Sequence, residues 1–152
     1  MLWLVMCGFE VLVGRLGGEI IDVGMPVKTV GQAAKYVGSG LRQIVKSLVF
    51  VLEDGGALLV VVDGESKVDL EKLKKVFGSV RFAKPDEVKA FTGFEVGGVP
   101  PVGVNMKTVV DRRVLENRFV YGGGGNTCKL LKIDPKKIVE YQKAKVMDVR
   151  ED

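Results

Sequence analysis

The segment IVKSLVFVLEDGGALLVVVDG, residues 44–64, decides the fold of this chain. Residues 44–52 and 57–63 are almost entirely apolar and rich in β-branched side chains, which favours two strands. The residues between them, Glu53 to Gly56, are typical of a hairpin turn. Because both strands are apolar at nearly every position, we expect other elements to cover both faces of this hairpin.

Shorter elements are predicted on either side of the hairpin. Before it, residues 19–23 indicate a strand, and the T-x-x-Q pattern from Thr29 to Gln32 predicts a capping box and a short helix that ends at Gly38. No linker or repeat divides residues 1–152, so we expect a single α+β domain with a mixed, mostly antiparallel sheet and short flanking helices. The remaining predicted elements are helices over 69–77, over 85–91 and after residue 134, strands over 108–111, 119–122 and 128–133, and a strand or extended tail over 145–149.

The composition excludes several classes of chemistry. The chain has no histidine and two cysteines, Cys7 and Cys128. Relays that need histidine and zinc sites that contain it are therefore excluded, and two separated cysteines cannot form a thiolate cage. We expect no metal site, a reduced intracellular compartment, and a core role for Cys128. Lysine and arginine together outnumber aspartate and glutamate by 23 to 19, which is compatible with a polyanionic partner.

The apolar start of the chain, residues 1–13, does not predict a membrane segment. No basic stretch precedes it, Glu10 interrupts it, and it is far shorter than the roughly 20 residues that a spanning helix needs. Both a first core element and a variable N-terminal extension fit this segment. We expect a cytoplasmic protein without a membrane partner.

Four features are not explained by the fold alone. Lys46 lies inside an apolar strand, so it must emerge at an edge, pair with a carboxylate or face a cleft. The GGVPPVG segment, residues 97–103, is either a tight structural turn or a rigid loop that offers backbone N–H groups to an oxyanion. The YGGGGN segment, residues 121–126, lacks the phosphate-loop order and indicates a wide bulge or a loop that substrate approaches closely. Asp111 ends a strand as a helix cap, an ion-pair partner or a polar pocket group.

Taken in order, the segments TVGQAAKYVG, IVKSLVF, VVVDG, VGGVPPVG, VVD and YGGGGN resemble the YbaK/ProX family of aminoacyl-tRNA deacylases. This family includes free-standing editing proteins and the editing domain inserted in bacterial prolyl-tRNA synthetases. The resemblance runs from about Met25 to the C-terminus, whereas residues 1–24 match poorly. Its most specific parts are Lys46 and the G-x-x-x-P loop from Gly97 to Pro101. It implies a mixed-sheet α+β fold in which the lysine and the loop line one pocket.

The resemblance also implies a role for each matching residue. Lys46 would hold the 3′ end of the tRNA and orient the ester, while backbone N–H groups around Gly97 and Gly98 would stabilise the oxyanion. Water positioned by the substrate's own vicinal hydroxyl would attack, without cofactor, metal or protein nucleophile. The other implied substrate-binding residues are a wall that measures the amino acid (Met25, Thr29, Val99, Pro100 and Pro101), a loop that admits the terminal adenosine (Gly122, Gly123 and Gly124), and the polar Asp111.

The activity that follows is the trans-editing of mischarged tRNA, with cysteine or alanine on the proline tRNA as the family's common substrates. The expected partners are the aminoacylated 3′ end of a tRNA and prolyl-tRNA synthetase, and the oligomeric state is open. The alternative is a module of the same fold that binds tRNA, a nucleotide or a synthetase without hydrolysis. Lys46 and the loop from Gly97 to Pro101 favour the enzyme, because a pure scaffold has no evident need for a lysine inside an apolar strand.

Overall fold

The computed structural model describes the backbone of residues 2–152 and the side chains of residues 8–152. Most elements lie where the sequence predicts them, and the short strand β4 is an element that the sequence analysis did not predict. The described helices are α1 (Leu2–Arg15), α2 (Val30–Val37), α3 (Leu70–Phe77), α4 (Pro85–Thr92) and α5 (Pro135–Gln142), and the strands are β1 (Glu19–Asp22), β2 (Val45–Leu52), β3 (Ala57–Asp63), β4 (Val80–Phe82), β5 (Lys107–Asp111), β6 (Val120–Gly123), β7 (Lys129–Ile133) and β8 (Lys145–Met147).

The strands form two sheets, where the sequence predicted one. The larger sheet has the order β4-β2-β3-β5-β8 and is mixed, because the hairpin and β4 are antiparallel while β5 and β8 join in parallel. The smaller sheet, β1-β7-β6, is antiparallel. A single bridge between Ile44 and Tyr121 connects the two. The α+β class with mixed and antiparallel strands is confirmed, and the second sheet arises because β6 pairs with β7 and not with the hairpin.

The hairpin of β2 and β3 lies at the centre, and both of its faces are covered as predicted. Val49, Leu59 and Val61 point into a core that lies between the two sheets. Phe50 and Leu58 point the other way, into a second core that α3 covers through Leu73. Burying apolar side chains on both faces stabilises the hairpin by roughly 25 cal/mol for each Å² removed from water.

The predicted capping of α2 is confirmed. Thr29 Oγ1 accepts a hydrogen bond from the Gln32 N–H at 3.0 Å, and Gly38 ends the helix with a positive φ of 74°. The Gln32 side chain reaches back one residue further than the pattern predicts and accepts from the Lys28 N–H at 2.7 Å. These caps fix the first turn of α2, which forms one wall of the cavity described below.

Part of the outer edge of β2 is left open. Strand β4 pairs only with Phe50–Leu52, and its extension ends where the Ala83 N–H donates to the Val49 carbonyl at 2.9 Å. Between this point and the bridge at Ile44, no other strand pairs with that edge within residues 2–152. Lys46 lies in this open stretch, so the strand order itself places the lysine beside a gap in the sheet.

The N-terminal segment forms α1. Phe9 and Val13 of this helix are buried in the core between the sheets, which supports the first of the two interpretations of this segment, a core element. Among the residues that the structure describes, no helix has the length and apolar character needed to cross a membrane.

Candidate active site

A cavity of about 520 Å³ lies beside the open stretch of β2. Its walls come from α2 and the residues before it, from the open stretch of β2, from the loop before and after Gly97, and from β6 and β7. Lysines and hydroxyl side chains supply its polar groups, and none of the lining residues is acidic. The cavity therefore favours a ligand that carries negative charge over one that carries only positive charge. Its apolar wall includes Val27, Val30, Ala33, Ile44, Val99 and Leu130.

Lys46 is half-buried at the edge of this cavity. Its Nζ donates a hydrogen bond to the Ser66 carbonyl oxygen at 2.5 Å. Burial lowers the pKa of Lys46 below that of an ordinary lysine, while the negative charge of Asp63 acts in the opposite direction. The sequence left three positions open for Lys46: a sheet edge, a pairing with a carboxylate, or a cleft. The structure shows the first and the third together, because the side chain emerges at a sheet edge and also faces a cleft.

The Ser66 carbonyl is held in place by a network that the sequence analysis did not predict. Asp63, at the end of β3, is fully buried and accepts a hydrogen bond from Ser66 Oγ at 2.8 Å. Arg113 lies 3.2 Å from the same carboxylate and forms an ion pair with it. The only sequence signal for this network is the aspartate that follows an apolar strand, a position that also suits an ordinary turn.

The loop at Gly97 lines the cavity, but only one of its two proposed oxyanion donors is available. The Gly97 N–H makes no hydrogen bond within the described part of the chain. The Gly98 N–H donates to the Glu95 carbonyl at 3.0 Å, so the prediction for Gly98 is corrected: its donor is already used. Val99 lines the cavity, whereas Pro100 and Pro101 are buried outside the lining.

Close backbone packing explains the glycines of residues 121–126 better than substrate contact does. A Cβ on Gly123 would overlap the Val99 carbonyl oxygen, and a Cβ on Gly98 would lie 2.7 Å from Asn126 Cα. These glycines let the loop at Gly97 approach β6. Gly122 and Gly123 line the cavity, but Gly124 does not, because it packs against the backbone of Lys129.

Two further predicted residues lie outside the cavity lining. Met25 is 63% exposed and stands before α2, so it forms no wall of this cavity. Asp111 is fully buried and serves the fold: it forms an ion pair with Arg150 at 2.7 Å, accepts from the Val149 N–H at 2.9 Å and caps the turn at Arg113. The geometry therefore supports two of the three interpretations of Asp111, the helix cap and the ion-pair partner, and not the polar pocket group.

Ser47 is a cavity residue that the sequence analysis did not single out as a site residue. Its hydroxyl oxygen is buried and has no hydrogen-bond partner among the described residues. Successive side chains in a strand point to opposite faces, so Ser47 and Lys46 reach the cavity from different sides of the β2 backbone. An unpartnered buried hydroxyl is unfavourable by itself, which makes Ser47 a ready hydrogen-bonding group for a bound ligand.

Comparison with known proteins gives the family. The aminoacyl-tRNA editing domain model matches residues 25–141 of this chain. The chain belongs to the aminoacyl-tRNA editing domain family. It is 37% identical over 128 residues to uncharacterized protein YwhH of Bacillus subtilis (strain 168), a match that covers 82% of both chains. It is also 38% identical over 101 residues to the proline–tRNA ligase of Thermosipho melanesiensis, a match that covers 64% of this chain and 18% of the ligase.

Solved structures support the same family. One, of a protein proposed to be a trans-editing enzyme for prolyl tRNA synthetase, has a TM-score of 0.88 and 34% identity, covering 97% of this chain and 98% of that one. Another, of hypothetical protein APE2540, has a TM-score of 0.86 and 37% identity, covering 93% of this chain and 98% of that one. Both matches thus extend over more than nine-tenths of this chain and of each solved chain.

Proposed function

We propose that this editing domain is a trans-editing deacylase that hydrolyses the ester of mischarged aminoacyl-tRNA, with residues 1–152 acting as one domain in the cytoplasm. The observation that carries the proposal is the position of Lys46, a cation at the rim of a cavity that has no lining carboxylates and that is also lined by Gly97, whose N–H is unpaired in the described part of the chain. A tRNA 3′ end brings phosphate charge to this rim and an ester to the cavity. Both groups match what these residues offer.

In the proposed reaction, water attacks the carbonyl carbon of the aminoacyl ester, and the bond from that carbon to the ribose oxygen breaks. The products are the free amino acid and a tRNA with its ribose hydroxyl restored, and one proton is released as the carboxylic acid ionises. Lys46 would hold the nucleotide, and the Gly97 N–H would stabilise the negative charge that develops on the carbonyl oxygen. The substrate's vicinal hydroxyl would position the water, so no protein nucleophile is required.

The amino acid would lie against the apolar wall of the cavity. Val30, Ala33 and Val99 are among the residues that line it. A wall of this kind favours a small uncharged side chain such as alanine or cysteine. The Ser47 hydroxyl would supply a hydrogen bond to the bound amino acid, since it has no partner in the described chain.

Hydrolysis of a panel of tRNAs tests the proposal. Alanine, cysteine, serine and proline, each esterified to the proline tRNA, are incubated with the wild type, with Lys46→Ala and with Lys75→Ala. Lys75 is an exposed residue of α3, on the far side of the larger sheet, and serves as the matched control. We expect the wild type and Lys75→Ala to release alanine or cysteine, and Lys46→Ala to release neither. Equal rates for all three proteins, or no release by the wild type, would contradict the proposal.

One observation favours the second candidate, a module that binds aminoacyl-tRNA without hydrolysing it. Only one of the two proposed oxyanion donors is available, because the Gly98 N–H is bonded to Glu95. Removal of one such donor from an acyl-transfer site costs about 100-fold or more in rate. If the wild type binds aminoacyl-tRNA and leaves every ester intact, the binding module is the correct function.

A further inference from the structure

We propose that a surface beside the cavity, formed by Arg118, Phe119, Tyr121 and Lys132, docks the phosphate backbone of the RNA stem whose 3′ end enters the cavity. We name it the cation–aromatic surface. The inference rests on the proposed function, since it assigns to the same site a place for the double-stranded part of its substrate. None of its four residues lines the cavity, and three of them, Arg118, Phe119 and Lys132, lie outside the segments that carry the family resemblance.

The two cations of this surface lie on aromatic rings. Lys132 Nζ is 4.9 Å from the ring centroid of Phe119 and 6.0 Å from that of Tyr121. The guanidinium carbon of Arg118 is 5.5 Å from the Phe119 ring centroid. Phe119 itself is 38% exposed, so solvent or a ligand reaches this group of side chains.

An aromatic ring and a carboxylate bind a cation in different ways. The ring attracts the cation through its quadrupole but carries no net charge, so the positive charge is positioned without being neutralised. Glu19 is opposite Lys132 in the register of β1 and β7, yet no carboxylate lies within 4.0 Å of either cation among the described residues. The opposite arrangement, an ion pair with a carboxylate, is found at Arg42, Lys72, Lys74, Arg81, Lys89, Arg113, Lys129, Lys137 and Arg150.

The surface shares a wall with the cavity. Tyr121 packs in a cluster with Ala33, Ile44 and Leu130, and these three residues also line the cavity. An ester bound at Lys46 is attached to the single-stranded end of a tRNA, so the stem that follows must pass over a neighbouring surface. The cation–aromatic surface is a neighbour that offers uncompensated positive charge.

The charge of the surface selects the occupant. An RNA stem presents closely spaced phosphates along its backbone, and cations that replace its counterions contribute affinity that falls with salt. An acidic protein surface would use the same cations, and the experiment below separates it from RNA.

The experiment compares a substrate that contains the stem with one that lacks it. Full-length aminoacyl-tRNA and an aminoacylated CCA trinucleotide are hydrolysed by the wild type, by the double variant Arg118→Gln with Lys132→Gln, and by Lys75→Gln on α3. For the double variant we expect KM for the full-length substrate to rise about tenfold with kcat kept, and KM for the trinucleotide to stay unchanged. The slope of log KM against log salt should fall by about two, one for each lost phosphate contact.

Direct binding makes the test independent of hydrolysis. The uncharged proline tRNA, its isolated acceptor-stem minihelix and prolyl-tRNA synthetase are each titrated into the same three proteins, with melting temperatures recorded to show that each variant is folded. Weaker binding of both RNAs by the double variant alone supports the inference. Unchanged Kd and salt slope would overturn it, as would an equal rise in KM for the trinucleotide or a loss of binding to prolyl-tRNA synthetase alone. If the wild type binds RNA and hydrolyses nothing, the proposed function fails while the docking surface stands.

Discussion

Asp63 and Asp111 end two neighbouring parallel strands, β3 and β5, and they resemble each other in almost every local respect. Both carboxylates are fully buried. Each forms an ion pair with an arginine, at 3.2 Å for Asp63 with Arg113 and at 2.7 Å for Asp111 with Arg150. Each also accepts a hydrogen bond from a backbone N–H two residues further along the chain.

The two aspartates differ in their remaining contact. Asp63 accepts from Ser66 Oγ, and the Ser66 carbonyl in turn accepts from Lys46 Nζ at the cavity. Asp111 accepts from the Val149 N–H and so holds the C-terminal segment against the sheet. Burial and an ion pair are thus common to both aspartates and do not distinguish their roles. The remaining hydrogen bond does, because that of Asp63 leads to the cavity and that of Asp111 leads to the C-terminal segment. The predictions below test this distinction.

Replacing Asp111 is expected to have the largest effect on stability and almost none on activity. Asp111→Ala leaves Arg150 without its partner and the Val149 N–H without an acceptor, which should lower the free energy of unfolding by about 3 kcal/mol. Deacylation per folded molecule should remain close to that of the wild type. Urea unfolding and rates corrected for the folded fraction measure the two quantities. A folded variant with a greatly reduced rate would show that Asp111 serves the site after all.

Replacing Asp63 is expected to affect both quantities. Asp63→Asn keeps the shape of the side chain but removes the charge that pairs with Arg113 and faces Lys46. We expect about a tenfold loss in kcat/KM per folded molecule, because the loop that holds Lys46 shifts. Asp111→Asn is the matched control, since it makes the same change on the neighbouring strand. Equal kcat/KM values for the two variants would remove the distinction between the aspartates.

The pH dependence of kcat/KM should also distinguish Asp63 from Asp111. Burial lowers the pKa of Lys46 and Asp63 raises it, so loss of the Asp63 charge must lower that pKa further. Activity that needs the charged lysine is present below its pKa and is lost as pH rises through it. The alkaline limb of kcat/KM should therefore move to lower pH in Asp63→Asn and stay in place in Asp111→Asn. A limb that moves equally in both variants would contradict the assignment.

The smallest effect is expected at Ser66. Ser66→Ala removes the hydroxyl that donates to Asp63 but keeps the carbonyl that accepts from Lys46. A buried hydrogen bond of this kind contributes about 1 kcal/mol to stability, and more when one partner is charged. We expect the rate to fall less in this variant than in Asp63→Asn. A loss of rate as large as that of Asp63→Asn would mean that the hydroxyl, and not the charge, positions the lysine.

Local patterns in the sequence predicted the local structure well. The hairpin and the cap at Thr29 follow from residues that are neighbours in the chain, whereas a sheet edge was one of three positions that the sequence left open for Lys46. The partner of Lys46, in contrast, lies 20 residues away, and the hydrogen bond that occupies Gly98 depends on how its loop folds back on Glu95. Contacts of these kinds depend on tertiary packing, so composition and periodicity carry no signal for them.

The two sheets illustrate the same limit. Strands over residues 119–122 and 128–133 were predicted, but nothing local indicates that they pair with each other, and the second of them with β1, instead of joining the hairpin. The same holds for Asp111, because the sequence leaves a helix cap, an ion pair and a polar pocket group equally open until its contact with Arg150 is seen. In the cavity, Met25 was assigned to a wall that it does not reach, because the chain turns into α2 only after Thr29.

The central claim is that Lys46 serves catalysis at a cost to stability, and one variant tests it most directly. Lys46→Met keeps roughly the length of the side chain and removes its charge. Burial lowers the pKa of Lys46, which means that the folded protein disfavours the charged ammonium, so the variant loses an unfavourable group. Deacylation and unfolding of this variant are measured beside Lys75→Met at neutral pH. The account predicts a rate lowered by about 100-fold or more with stability equal to or above that of the wild type. A Lys46→Met protein that deacylates at the wild-type rate, or that unfolds while Lys75→Met stays folded, would contradict it.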